Sequence, residues 1–218
     1  VSDVFYCCTP PGGVAGRPDV LVSFGRSDTA LYGPLRTWMA ASDLPSNALH
    51  AGAEAPDFFL PDERARLISL SSLLVKGPVV LIFMPGSWCS FSINKIRALS
   101  AALRGRAVSV VTLTPETAAY PRDMKAQNEL DCVVLADVDY GVGLSFGLTF
   151  MPPPGIVAEM KAYGLDLREI HGASTPMLPA PAIYVIGPSG KITMAQVDLD
   201  YMTSIEPEKI RQALDAAS

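Results

Sequence analysis

The residues best suited to chemistry lie at positions 86 to 92, which read GSWCSFS. Cys89 follows Trp88 and stands three residues before Ser92. An ionised thiol is a strong nucleophile towards sulfur and peroxide oxygen. With two cysteines, a Cys-x-x-Cys run would form a dithiol redox site. Here Ser92 takes the second place, so no disulfide can close within the motif. Cys89 alone can still attack a disulfide and be released by a second thiol. It can also be oxidised to a sulfenic acid and resolved by another cysteine, with Cys7, Cys8 and Cys132 as the other thiols.

The surrounding pattern explains why a thiol at this place would be reactive. VVLIFM (79–84) is a continuous apolar run between Gly77-Pro78 and Pro85-Gly86, the signature of a central strand covered on both faces. Residues 89 to 103 follow with Ile93, Ile96, Leu99 and Leu103 at helical steps. Cys89 therefore falls at the first turn of a helix, where unpaired N–H groups and the helix dipole favour a negative charge. Ser92, one turn on, shares its face, so its hydroxyl can donate to the sulfur.

Beyond this junction the chain alternates strands and helices. VSVVTL (108–113) and CVVLAD (132–137) read as further buried strands, with a polar helix over 117–129 between them. APDFFLP suggests an edge strand, and LISLSSLL a short strand running into a helical turn. YGVGLSFGL (140–148) predicts a short helix ending at Gly147. Residues 151–179 form a Pro/Gly-rich excursion with one helical piece, IVAEMKAYG. AIYVIGPSGKITMAQVD predicts a hairpin, and EPEKIRQALDAA a closing helix entered through Glu206 and Pro207. This order predicts one α/β domain over 51–218, a mixed central sheet with helices on both faces.

Residues 1–50 read as an N-terminal extension. They begin turn-rich, pass through a short strand at VLVSFG (20–25), and continue into a helix over 29–41 capped by Asp28. Leu31, Leu35, Trp38 and Met39 would dock this helix on the main domain or on a partner subunit.

Composition narrows the function. The 218 residues carry a net charge of −5 without a Lys/Arg cluster, which argues against nucleic acid. No apolar run approaches the ~20 residues of a membrane span, and VSDVFYCCTPPGG lacks a basic leader, so a cytoplasmic protein is the expectation. His50 and His171 are isolated and read as surface or loop residues, so neither a metal nor a cofactor is implied. Cys132 reads as a small core residue. Asp137, Asp139, Asp198 and Asp200 read as strand-end turn residues.

Taken in order, GAEAPDFFL, GPVVLIFMPGSWCSFSINKI, VVTLTPE, VVLADVDYGVGLSFGL, LPAPAIYVIGPSGKI and VDLDYMTSIEPEKI resemble the redoxin group of the thioredoxin superfamily. More narrowly they resemble peroxiredoxin-like proteins of the alkyl hydroperoxide reductase/thiol-specific antioxidant family, over roughly residues 50 to 216. The resemblance implies a thioredoxin-like fold, a thiol/disulfide or peroxide substrate, and a thiol reductant such as glutathione or thioredoxin. Trp88, Cys89, Ser90, Phe91 and Ser92 fall on the family's Trp-Cys-Pro-(Tyr/Phe)-Cys motif. Pro181 falls on a proline that in the family is cis and faces the thiol. Relatives that pair edge to edge, and the apolar N-terminal segment, point to a homodimer.

The chain also departs from this pattern. The family's usual peroxide-attacking cysteine corresponds to Ser92, and the first position is often Thr. Arginines that often follow the central strand and precede the late Glu-Pro are replaced by Met84-Pro85 and Thr203-Ser204-Ile205. Three readings follow. The first is a thiol oxidoreductase working through an accessible Cys89, with Ser92, Trp88 and Pro181 around it. The second is a non-catalytic thioredoxin-fold binding protein with a buried or slow Cys89. The third takes Ser92 as a replacement for a cysteine.

Overall fold

The structure, a computed structural model, describes residues 28–117 and 119–217, with side chains from Tyr32 onward. VLVSFG (20–25), the Asp28 cap, Leu31, Cys7 and Cys8 lie outside that description.

The apolar run of 79–84 forms β3 (Val79–Phe83), buried along its whole length. It lies at the centre of a five-stranded sheet of order β5-β4-β3-β8-β9. β4 (Ser109–Thr114) and β5 (Val133–Ala136) run parallel to it on one side. β8 (Ala182–Ile186) and β9 (Ile192–Val197) form the antiparallel hairpin on the other. The sheet is thus mixed, because short turns join the hairpin whereas helical crossovers join the parallel strands.

Alternate residues of β3 feed two separate cores. Val80 and Ile82, with Met84 just beyond the strand, pack with Ile93, Ile96 and Leu99 of α4 (Ser90–Ala102), Met124 of α5 (Ala119–Asn128), and Ile210 and Leu214 of α9 (Pro207–Ala216). Val79, Leu81 and Phe83 face the other way. There they meet Leu35 and Met39 of α1 (Asp28–Ala40), Leu70 and Leu73 of α3 (Leu70–Leu74), and Val142 of α6 (Gly141–Ser145). The same layer holds Ile156 and Met160 of α7 (Pro154–Ala162) and Leu167 and Ile170 of α8 (Leu167–His171). Helices therefore cover both faces, as the period-2 alternation of a doubly buried strand requires.

The remaining elements are short. α2 (Leu44–Asn47) follows α1. β1 (Phe59–Pro61) pairs with β2 (Leu67–Ser69) in a small hairpin of its own. That hairpin touches β5 through an isolated bridge between Asp62 and Leu135. Pro56 and Pro61 lack the N–H groups a longer ladder would need. β6 (Thr149–Phe150), just before the Pro/Gly-rich excursion, pairs with β7 (Leu178–Pro179) at its end. The excursion thus carries α8 and β7 besides the helical piece the sequence signals, since two- to five-residue elements have no resolvable period. At Gly147, φ is +70°, and an added Cβ would lie 2.0 Å from the Asn47 carbonyl oxygen. Only glycine allows α6 to end there against α2.

Among the described residues no helix is long and apolar enough to cross a membrane.

Candidate active site

β3 ends in the loop Pro85-Gly86-Ser87-Trp88, and Cys89 is the N-cap of α4, with φ −87° and ψ 97°. Its side chain makes no capping bond to a backbone N–H of the helix. The Sγ instead accepts two hydroxyl hydrogen bonds, from Ser92 Oγ at 3.2 Å and from Tyr32 Oη at 3.5 Å. Ser92 comes from the first turn of α4, and Tyr32 from α1, 57 residues earlier.

The loop is fixed from β4. Glu116, fully buried, accepts from the Ser87 N–H at 2.7 Å, the Ser87 hydroxyl at 2.8 Å and the Thr114 hydroxyl at 3.0 Å. Trp88 is buried beside it, and a Cβ on Gly86 would come within 2.3 Å of the indole Nε1. Trp88 thus packs under the loop that delivers Cys89, and glycine at 86 lets the indole lie against the backbone.

An aromatic wall covers the sulfur. The Tyr32 ring stands edge-on to Phe91, with centroids 5.7 Å apart, and 5.6 Å from Tyr201. Tyr201 donates to the Pro179 carbonyl at 2.7 Å, and burial, reinforced by the nearby Cys89, holds its phenol well above the usual value. Cys89 is 0% exposed. The accessible thiol expected of a single-cysteine oxidoreductase is therefore corrected: in this conformation α1 and the wall close the site.

One cation stands close enough to couple to the thiol. Lys95, two turns into α4, is nearly buried and lies 3.7 Å from Asp198. Burial lowers its pKa, against the opposing pull of Asp198 and Cys89. Lys95 was not singled out from the sequence; its three-residue spacing from Ser92 on one helix face was the signal that could have found it. Nothing local signalled Tyr32, Glu116 or Tyr201.

Pro181 is buried at the start of β8, and its peptide bond is trans, as are all those of the described residues. The cis proline that the resemblance implies is corrected. The Ala180 N–H donates to Leu148 at 2.9 Å, and the Pro179 carbonyl is taken by Tyr201. That backbone is occupied by the chain itself and offers no edge to an extended ligand.

Two further residues are placed by the fold. Cys132 belongs to the α4–α5–α9 core, whereas Cys89 belongs to the opposite one, so the sheet stands between them. Burial pushes the Cys132 thiol up to about 11. His171, expected at the surface, is buried at the end of α8 with its Nδ1 3.1 Å from the Tyr140 hydroxyl. Desolvation outweighs the neighbouring backbone of Pro85 and Met177 and lowers its pKa to about 4. Asp137 caps α6 through the Val142 and Gly143 N–H groups, and Asp139 bonds the Gly141 N–H.

The family model described as "AhpC/TSA family" matches residues 51–195, from just before β1 into β9. The chain belongs to the AhpC/TSA family. The match begins after α1 and α2. No curated protein sequence matches the chain. Solved structures share its fold. The peroxidoxin BcpB from Mycobacterium tuberculosis is 20% identical at a TM-score of 0.59, over 78% of this chain and 99% of that one. The thiol peroxidase from Chromobacterium violaceum is 12% identical at 0.62, over 78% and 88%. The bacterioferritin comigratory protein of Xanthomonas campestris, a protein with alkyl peroxide reduction activity, is 14% identical at 0.56, over 76% and 98%. The AhpC/TSA core is thus a thioredoxin-like scaffold, and the thiol of this family member sits at its strand-to-helix junction.

Proposed function

We propose that the protein is a single-thiol peroxidase of the AhpC/TSA family in which Cys89 is the reacting residue. The observation that carries this reading is the sulfur of Cys89, set at a helix N-cap and accepting the Ser92 hydroxyl at 3.2 Å. Both features favour a thiolate over a thiol. The chemistry then lies one helical turn before the position where the family resemblance puts the attacking cysteine.

In the first step the Cys89 thiolate attacks one oxygen of a hydroperoxide. The S–O bond forms, the O–O bond breaks, and the leaving alkoxide takes a proton to become an alcohol. Cys89 is then a sulfenic acid. A thiol of the cytoplasm, glutathione or thioredoxin, condenses with it, giving a mixed disulfide and water. A second thiol attacks that disulfide, releases the oxidised reductant and restores Cys89. The burial of the sulfur favours a small hydroperoxide over a protein disulfide as oxidant. Trp88, buried next to Cys89, packs under the loop that delivers the thiol.

The test uses the full chain with Cys7, Cys8 and Cys132 replaced by alanine, reduced and mixed with hydrogen peroxide or an alkyl hydroperoxide. The expected product is one sulfenic acid on Cys89, trapped by a 1,3-diketone and located by mass spectrometry, then converted by glutathione to a mixed disulfide. Peroxide that leaves native Cys89 unoxidised would sink the reading.

The full burial of Cys89 favours a second reading, a thioredoxin-fold binding protein without catalysis. In that case neither peroxide nor disulfide would consume the thiol before the protein unfolds.

A further inference from the structure

We infer that Tyr32 is a working part of the thiol's site: its hydroxyl, carried on α1 ahead of the family-matching region, joins Ser92 in holding the Cys89 sulfur as a hydrogen-bond acceptor. This rests on the reading of Cys89 as the reacting thiol and adds a residue to it.

Two hydroxyls donate to one sulfur. A protonated thiol is a weak acceptor, whereas a thiolate is a pure acceptor whose hydrogen bonds are charge-assisted. A pair of donors aimed at the same sulfur therefore suits the ionised form. Tyr32 is 3% exposed, so its hydroxyl is out of water and its bond to the sulfur helps offset desolvation.

The placement of Tyr32 is secured at several points. Arg36, one turn on, pairs with Asp200 at 3.1 Å. Trp38 packs on Phe150 with ring centroids 5.1 Å apart, and Leu35 and Met39 are buried in the core. The ring itself is held between Phe91 and Tyr201. A phenylalanine would keep both ring contacts, so the hydroxyl is the part that packing does not explain.

Among the described residues, the other charged or titratable groups near the site come from three elements. Lys95 on α4 is coupled to Cys89 and held by Asp198, with Asp200 further off. Tyr201 stands beside the sulfur from the segment after β9. Arg36 on α1 pairs with Asp200. Tyr32→Phe changes none of these charges.

The experiment follows the ultraviolet absorbance of the Cys89 thiolate against pH, in the full chain lacking the other three cysteines. This readout needs no reagent to enter the closed site. Tyr32→Phe is compared with its parent and with Ser92→Ala. Loss of either donor is expected to move the curve to higher pH and cut the thiolate fraction near neutrality by about three- to tenfold. The melting temperature of Tyr32→Phe stays near the parent's. Tyr32→Leu, which lacks the ring as well, moves the curve the same way. Curves for Tyr32→Phe and its parent that superimpose would overturn the inference, leaving Tyr32 a packing residue. Peroxide oxidation of Cys89 in the parent is scored separately. A shifted curve without oxidation keeps Tyr32 and removes the peroxidase reading; oxidation with superimposed curves does the reverse.

Discussion

Glu116 accepts both the backbone N–H and the side-chain hydroxyl of Ser87, at 2.7 and 2.8 Å, and so joins the end of β4 to the loop that delivers Cys89. A carboxylate buried to 0% exposure is costly unless its lone pairs are filled, and here the Thr114 hydroxyl fills another. Glu116→Ala would leave the Ser87 and Thr114 donors stranded in the interior. The expected cost is about 3 kcal/mol of stability, with slower oxidation of Cys89 as the loop loosens. Denaturant unfolding and peroxide kinetics on the same variant check both.

Gly86→Ala tests the close approach of Trp88. The new methyl would meet the indole Nε1 at 2.3 Å, nearer than any relaxed contact. Trp88 or the loop must shift, at an expected cost of about 1–3 kcal/mol. A changed Trp88 fluorescence together with a lower midpoint of unfolding is the predicted result. An unchanged midpoint would mean that the loop yields freely.

Stability should depend on His171 in acid. Its folded pKa, about 4, lies below the 6.5 of the free side chain, so the unfolded chain binds the extra proton first. The stabilisation is complete above 6.5, declines as the pH falls through the interval down to about 4, and is worth about 3 kcal/mol. His171→Gln, which cannot take up a proton, should flatten that part of the stability–pH curve. Urea midpoints measured across the interval test the slope.

Cys132 should be silent in the native state. Its thiol is 8% exposed, and burial raises its pKa to about 11. Alkylation of the native protein near neutrality is expected to leave Cys132 unmodified, and labelling should appear only on unfolding. A disulfide between Cys132 and Cys89 after peroxide treatment would contradict the placement of the two residues in opposite cores.

Lys95→Met removes a nearly buried cation from Asp198 and from the neighbourhood of Cys89. Breaking such a pair from one side typically costs about 3 kcal/mol or more, because the partner charge stays buried. The double variant with Asp198→Asn should recover most of the stability but not the rate of Cys89 oxidation. A double-mutant cycle on both quantities separates the ion pair's structural share from its effect on the thiol.

Much of the scaffold was legible from pattern alone. The run of apolar residues in VVLIFM could only be a strand covered on both sides, and it became β3 at the centre of the sheet. Ile93, Ile96, Leu99 and Leu103 repeat at helical steps and are all buried. GPSG between two apolar strands made the β8–β9 hairpin, and Pro207 opened α9. These features are local: each depends on residues within a few positions of one another. The helix-start position of Cys89 and its one-turn spacing from Ser92 follow for the same reason.

The tertiary structure alone decided the surroundings of the sulfur. Tyr32 meets Cys89 across 57 residues and Glu116 meets Ser87 across 29, separations that carry no periodic signal. The burial of Cys89 depends on where α1 docks, and Leu148 and Tyr201 take up the backbone just before Pro181. His171 went inward because the turn of α8 aims it at Tyr140. The sequence determined where a thiol stands at the start of a helix; long-range packing decided which groups surround it, because distant side chains become neighbours only when the layers close around the sheet.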